Sequence, residues 1–283
     1  MRTDRYILAV ILAAALGACA DEVAPPDKSV TLAGIPAERL DRIVSQFNKG
    51  VGLMDRYRPA EAVKAFEEVV KLAPGWISGH LNLGIALLNS QGEENYARAE
   101  RVLRAVTAAD PENPHAHYAL GMLLRHLTRM DEARTHFAQV LEIDPEDPDA
   151  HYQLGILLID EDPQAARDHL EKTLARVPHH ESACYRLQTL LRQAGEKQRA
   201  LELLRRFKAL KTAKAGVFSG MKYGEMGRYA EVIRAFELPR TKGMEPPSPP
   251  AFVDRAEDSG LTLPGMGSAE WPCQSSRSPG PPA

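Results

Sequence analysis

The side chains best equipped for chemistry in this 283-residue chain are its nine histidines. Two flank an alanine at His115 and His117, two more stand in His179-His180-Glu181, and His80 and His151 are isolated. Imidazoles beside carboxylates are the raw material of zinc sites and general bases. The spacing argues against both. A zinc-protease helix needs a second histidine one turn after the first, and His179-His180-Glu181 lacks it. No Gly-x-Ser-x-Gly elbow, phosphate-binding loop or dinucleotide fingerprint occurs. The sequence therefore predicts no catalytic residue, no metal ligand, no cofactor and no small-molecule substrate: the chain reads as something other than an enzyme. Cys19, Cys184 and Cys273 lie in unrelated settings and make no disulfide framework; Cys184 reads as a small core hydrophobe and Cys273 as an exposed thiol. A net charge of −3 supplies no broad basic field, which excludes nucleic acid as a partner.

The histidines make sense once the elements that hold them are found. "NKGVGLM", "NLGIALL", "YALGMLL" and "YQLGILL" place Gly50, Gly84, Gly121 and Gly155 about one repeat apart. After each glycine come an alanine, a large apolar residue and a proline: Ala62/Phe66/Pro74, Ala99/Leu103/Pro111, Ala133/Phe137/Pro145 and Ala166/Leu170/Pro178. Alanine to proline is always 12 residues, whereas glycine to alanine varies through 12, 15, 12 and 11. A helix cannot take an extra residue without turning its apolar face, but an exposed turn can, so glycine and alanine belong to two helices joined by a turn. His80, His117 and His151 each precede the repeat glycine by four residues, a packing position.

This pattern resembles the tetratricopeptide repeat (TPR), a helix–turn–helix of 34 residues with small residues where its helices touch and a closing proline. The resemblance implies an all-α fold, a TPR α-solenoid winding as a right-handed superhelix, with disordered termini. Phe66, Leu103, Phe137 and Leu170 are expected to fill the space between successive hairpins, and both glycines of "KGVG", Gly50 and Gly52, are expected to mean packing. A fifth copy keeps Leu187, Gly195, Ala200 and Leu204 but has Gln188 for the glycine. A sixth, "SGMKYGEMGRYAEVIRAFE", keeps Gly220, Tyr223, Gly227, Tyr229 and Phe236, with Val232 where alanine is expected, and reads as a degenerate closing hairpin. The repeat domain spans residues 37–237, five repeats plus the degenerate one.

In this fold the first helices line an inner groove. Tyr118, Tyr152 and Tyr185 recur there, each three places before the glycine position, and Leu81, Ile85, Met122, Arg125, His126, Ile156, Arg192 and Gln193 surround them at helical spacing. Tyrosine offers apolar area and a hydrogen-bonding tip at small entropic cost. Tyr118, Met122, Arg125, His126, Tyr152, Ile156, Tyr185 and Arg192 are thus the candidate partner-binding set, for a protein or peptide. The other reading, that the tyrosines pack hairpin on hairpin, stands beside it with equal weight. The Lys/Asn clamp by which some members of the family hold chain-terminal carboxylates is absent.

The ends carry different information. Met1 to Arg5 is a short basic start and Tyr6 to Leu16 an apolar run too short to span a bilayer, which together read as an export signal over residues 1–18. Leu16-Gly17-Ala18-Cys19 resembles a bacterial lipobox, implying a lipidated Cys19 at the mature terminus and a membrane anchor. Residues 19–36 then form a polar, proline-interrupted tether. Ala20 after the cysteine is no inner-membrane retention signal, so the resemblance favours the outer membrane, on the periplasmic or extracellular side of the envelope. Ten of the 21 prolines fall between Pro239 and Pro282, marking residues 238–283 as a linker-like tail. Within it "AFVDRAEDSGL" resembles the opening of FG-GAP/ASPIC-type β-propeller domains, which in exported bacterial proteins follow a TPR region; the order of parts implies a chain that stops where a propeller would begin. The function expected is a protein-interaction scaffold anchored to the cell envelope. The alternatives are an assembly lipoprotein of a pilus or secretin machine, and the binding portion of a larger propeller-containing protein.

Overall fold

The computed structural model describes residues 25–235. Cys19, Cys273, the lipobox and the propeller-like motif lie outside them. The chain divides into two compact units, Met1–Pro239 and Arg240–Ala283, and every described residue belongs to the first. Ten α-helices pair as five hairpins: α1 (Ala37–Asp55) with α2 (Pro59–Leu72), α3 (Ile77–Ser90) with α4 (Glu93–Ala109), α5 (Pro114–His126) with α6 (Met130–Ile143), α7 (Pro148–Leu157) with α8 (Pro163–Arg176), and α9 (Glu181–Gln193) with α10 (Lys197–Ala213). No strand occurs among the described residues.

The helix starts follow from local chemistry. Asn113, Asp147 and Asp162 stand at the N-caps of α5, α7 and α8, where their side-chain oxygens accept the backbone N–H three residues on at 3.1, 2.7 and 3.0 Å. A proline fills the next position in each, where no N–H is needed. The long copy ends α3 in a turn through Gln91 and Gly92, both at positive φ.

Inside each of the first four hairpins the helices meet at the repeat glycine. A β-carbon at Gly50 would lie 2.6 Å from the Phe66 ring, at Gly84 2.7 Å from Leu103, at Gly121 3.0 Å from Phe137, and at Gly155 2.9 Å from Leu170. The four large residues expected between hairpins therefore meet the glycine of their own hairpin, because each lies one helical turn after the alanine, on the same face of the second helix. Gly52 departs from expectation, since nothing lies within 4 Å of its missing β-carbon.

Between hairpins the recurring histidine does the joining. Nε2 of His80, His117 and His151 meets the carbonyl of the proline closing the preceding hairpin, Pro74, Pro111 and Pro145, at 2.6, 2.9 and 3.0 Å. A carbonyl only accepts, so Nε2 carries the proton and, in a neutral ring, Nδ1 must accept. In the third and fourth hairpins the donor is a second histidine: His117 Nδ1 meets His136 Nδ1 at 3.0 Å, and His151 Nδ1 meets His169 Nδ1 at 2.8 Å. Cys184 takes this position in the fifth hairpin and is buried.

The sixth hairpin is not formed. After α10 the chain turns at Lys214, in the left-handed region, and residues 217–235 run back as a non-helical strap along the first helices, with a turn at Lys222–Glu225 and a 3-10 turn at Arg228–Ala230. Tyr223, Met226, Ala230 and Val232 of the strap are buried and join the core shared by the first three hairpins and α7.

Two expectations follow. Gly50→Ala should cost about 1–3 kcal/mol by overpacking against Phe66, while Gly52→Ala in the same helix should add about 0.5–1 kcal/mol by removing a helical glycine. Chemical denaturation of the two variants separates them, and equal effects would contradict the register. Burial holds His136 and His169 down at about 4 against an ordinary 6.5, with His117 and His151 respectively pushing the same way. The unfolded chain then binds more protons than the fold between pH 6.5 and about 4, so stability should be full above that window and fall as pH drops through it. His136→Gln with His169→Gln keeps a donor for each partner ring and should flatten the melting-temperature profile between pH 6.5 and 5; an unchanged slope would remove the histidine pairs as its cause.

Candidate protein-binding groove

The inner face expected to receive a partner is partly filled by the chain itself. Asn82, buried on α3, holds the strap backbone at Ile233 from both sides: its Oδ1 accepts the Ile233 N–H at 2.7 Å and its Nδ2 donates to the Ile233 carbonyl at 3.0 Å. One hairpin on, the Tyr118 hydroxyl donates to the Met226 carbonyl, and Gln153 Nε2 reaches the Tyr118 oxygen at 3.4 Å. Tyr118 is wholly enclosed, and burial lifts its hydroxyl well above the ordinary pKa. Side chains thus grip the strap through its main-chain groups, while Tyr223, Met226, Ala230 and Val232 are buried beneath it.

Charge fixes the strap's register. Arg228 Nε donates to Asp147 Oδ2 at 2.9 Å, its Nη2 to Asp144, and its backbone N–H to Asp149 Oδ2 at 3.2 Å. The guanidinium lies 4.5 Å from the centre of the Tyr229 ring, whose hydroxyl donates to Asp144 at 2.8 Å. Asp147 caps α7 and holds Arg228 at once, and its side chain is fully buried. Burial raises its pKa, opposed by the Ala150 N–H and by Arg228. Asp149 is also raised, by burial and by Asp147. Tyr229 is pushed up to about 12, by burial and by its bond to Asp144. Farther along, Arg234 pairs with Asp55 at 2.8 Å. At the other end the His179-His180-Glu181 motif is an anchor: Val217 N–H bonds the His179 carbonyl at 2.9 Å, and His180 bonds Ser219 Oγ through Nε2 at 3.0 Å while its Nδ1 caps α9.

The eight groove residues therefore part company. Tyr118 and Met122 are closed off beneath the strap side of the core. Tyr152 is 5% exposed, with its ring 4.7 Å from that of His180. Tyr185, 47% exposed, rests on Phe207, and Arg192 is also exposed. Arg125, His126 and Ile156 come together in a pocket of about 560 Å³ with Met130, Arg186 and Met221. Sequence reasoning assigned no role to Asn82, Arg228 or the aspartates at the α6–α7 junction, and His115, considered there as a metal or catalytic group, instead packs its ring 4.9 Å from that of Tyr229. The signal for the aspartates was the acidic run Asp144, Asp147, Asp149 facing an arginine in the sixth copy.

Gly227 is where the strap comes closest. It sits at φ 111°, and a β-carbon there would lie 2.6 Å from the Tyr118 hydroxyl and 2.8 Å from Asp149. Gly227→Ala should cost about 1–3 kcal/mol and accelerate amide exchange from Met226 to Ile233 with the helical circular dichroism unchanged. Exchange at wild-type rates would show that the strap does not depend on this approach.

No protein of curated function matches this sequence. Residues 91–148 match the tetratricopeptide repeat family. Among solved structures, MamA 41-end from Desulfovibrio magneticus RS-1 is 22% identical, covering 62% of this chain and 97% of its own, at a TM-score of 0.54. A MamA RS-1 double mutant gives the same coverage and identity with a TM-score of 0.55. Pseudomonas aeruginosa PilF is 20% identical over 63% of this chain and 78% of its own, also at 0.55. Likeness at these identities carries the fold, and the fold is an all-α TPR solenoid.

Proposed function

We propose that this chain is a protein-interaction scaffold held at the cell envelope by a lipidated Cys19, and that its partner docks on the part of the inner face left open by the strap. The observation that carries the docking surface is the exposure of large apolar and aromatic groups around the Arg125 pocket and α9: Met130 and Tyr185 on the helices, and Phe218 and Met221 on the bordering edge of the strap. Aromatic and arginine side chains on a rigid helical face are favourable anchors for a protein or peptide. The anchor rests on the lipobox resemblance alone, with two or three acyl chains each adding roughly 0.8 kcal/mol per buried methylene. Among the described residues no helix is long and apolar enough to cross a membrane, and no group of three or more His, Cys, Asp or Glu is placed to hold a metal.

A photo-crosslinking amino acid at Tyr185 or Arg192 should capture one discrete envelope protein in living cells, and the same group at exposed Arg101 on α4 should not. Capture from all three positions, or from none, would defeat the docking surface. Mass spectrometry of the mature terminus should find an acylated Cys19, and Cys19→Ser should release the chain from the membrane fraction. An unmodified terminus, or one retaining residues 1–18, would defeat the anchor.

A further inference from the structure

Arg125, in the last turn of α5, is the one element of the open groove that neither the fold nor the strap explains. Its guanidinium carries five donors, yet its only hydrogen-bond partner among the described residues is the Met221 sulfur, at 2.8 Å. A thioether is a weak acceptor and carries no countercharge. Among the described residues neither Arg125 nor Arg186 makes an ion pair, although both line the same pocket. The one carboxylate on the rim, Asp160, lies beyond ion-pair distance of both. Burial holds the Arg125 pKa below its ordinary value, and Arg186 pushes the same way. The other half-buried arginines are matched: Arg98 by Glu67, Arg104 and Arg129 by Glu100 and Glu132, Arg134 by Asp131 and Glu161, Arg167 by Glu171 and Glu196, and on the strap Arg228 pairs with Asp144 and Asp147. A half-desolvated guanidinium without an acceptor is costly, and a carboxylate is its best complement.

The walls say what kind of carboxylate. Ile156, Leu157, Ile159 and Met130 make them apolar, and Met221 separates the pocket from a second depression of about 280 Å³ lined by Tyr57, Leu88, Tyr96 and Tyr223. His126 and Met221 belong to both, so the surface continues past Arg125 in two directions. A ligand that used it would cross the site rather than end in it.

We propose that the Arg125–Arg186 pocket reads an acidic side chain, glutamate or aspartate, within an extended and otherwise apolar peptide segment of the partner. The proposal rests on the docking surface inferred above and names the chemistry of what it recognises.

The test uses the full chain with methyl-labelled methionine and three synthetic peptides. One is the acetylated, amidated Ala-Leu-Glu-Leu-Ala; the second replaces its glutamate by glutamine; the third carries glutamine and a free C-terminal carboxylate. The glutamate peptide should shift the Met130 and Met221 methyl signals and bind about tenfold more tightly than the glutamine peptide, the preference expected of one charge-assisted pair. Arg125→Gln should abolish that preference at an unchanged melting temperature. Arg186→Gln, on an exposed side chain that cannot threaten the fold, should reduce it severalfold. Equal binding of the first two peptides, no binding by any, or a preference that survives Arg125→Gln overturns the proposal. Equal or tighter binding of the third overturns the assignment to an internal side chain. The crosslinks at Tyr185 and Arg192 keep the two readings apart: crosslinks that persist in Arg125→Gln at wild-type yield leave the docking surface standing without this pocket, whereas their absence from the wild type removes the docking surface itself.

Discussion

No side chain can stand where the two helices of the first four hairpins meet, and the array depends on that. At Gly50, Gly84, Gly121 and Gly155 even a methyl group would press into the Phe or Leu opposite. The closeness fixes the axial register of the second helix against the first, because the large residue can sit over the glycine in only one alignment. From that register the rest follows. The proline ending each second helix reaches the next first helix at a constant depth, and a histidine there meets its carbonyl in three successive joints. A joint made through directed hydrogen bonds sets the angle between hairpins more narrowly than apolar contact could.

Those features were legible because they are local and periodic. Glycine, alanine, large apolar residue and proline each answer to the geometry of one hairpin, so their spacing survives in the sequence. The strap was not legible for the opposite reason. Gly220, Tyr223, Gly227 and Tyr229 have the residue types of a worn repeat, but their roles depend on partners a hundred residues away, as with Met226 on Tyr118. In the structure Gly224 and Gly227 take positive φ, which a pair of packed helices would not need and which the residue types alone do not reveal. The tyrosines show the same limit. Their recurrence marks one face of the first helices, yet Tyr118 is enclosed and Tyr185 exposed because the strap lies over one and not the other.

The groove is thereby divided by charge as well as by occupancy. Where the strap lies, acidic side chains of the array meet basic ones of the strap: Asp55 with Arg234, and Asp144, Asp147 and Asp149 with Arg228. Beside Met221, where the strap meets the last turn of α5, Arg125 and Arg186 line a pocket in which, among the described residues, neither makes an ion pair.

A row of hairpins touching only their neighbours behaves as a one-dimensional chain, able to fray from either end. The strap changes the dimensionality. Its bonds tie Asp55, Asn82, Tyr118 and Asp147 to positions 179, 151, 108 and 81 residues later. The first hairpin can no longer open without releasing contacts that also hold the second, third and fourth, so loss of structure at one end is transmitted through the strap to the rest. Such closure makes melting more nearly all-or-none than in an unstrapped array of equal length, and it slows folding, since the distant contacts repay their loop entropy only after the helices are in place.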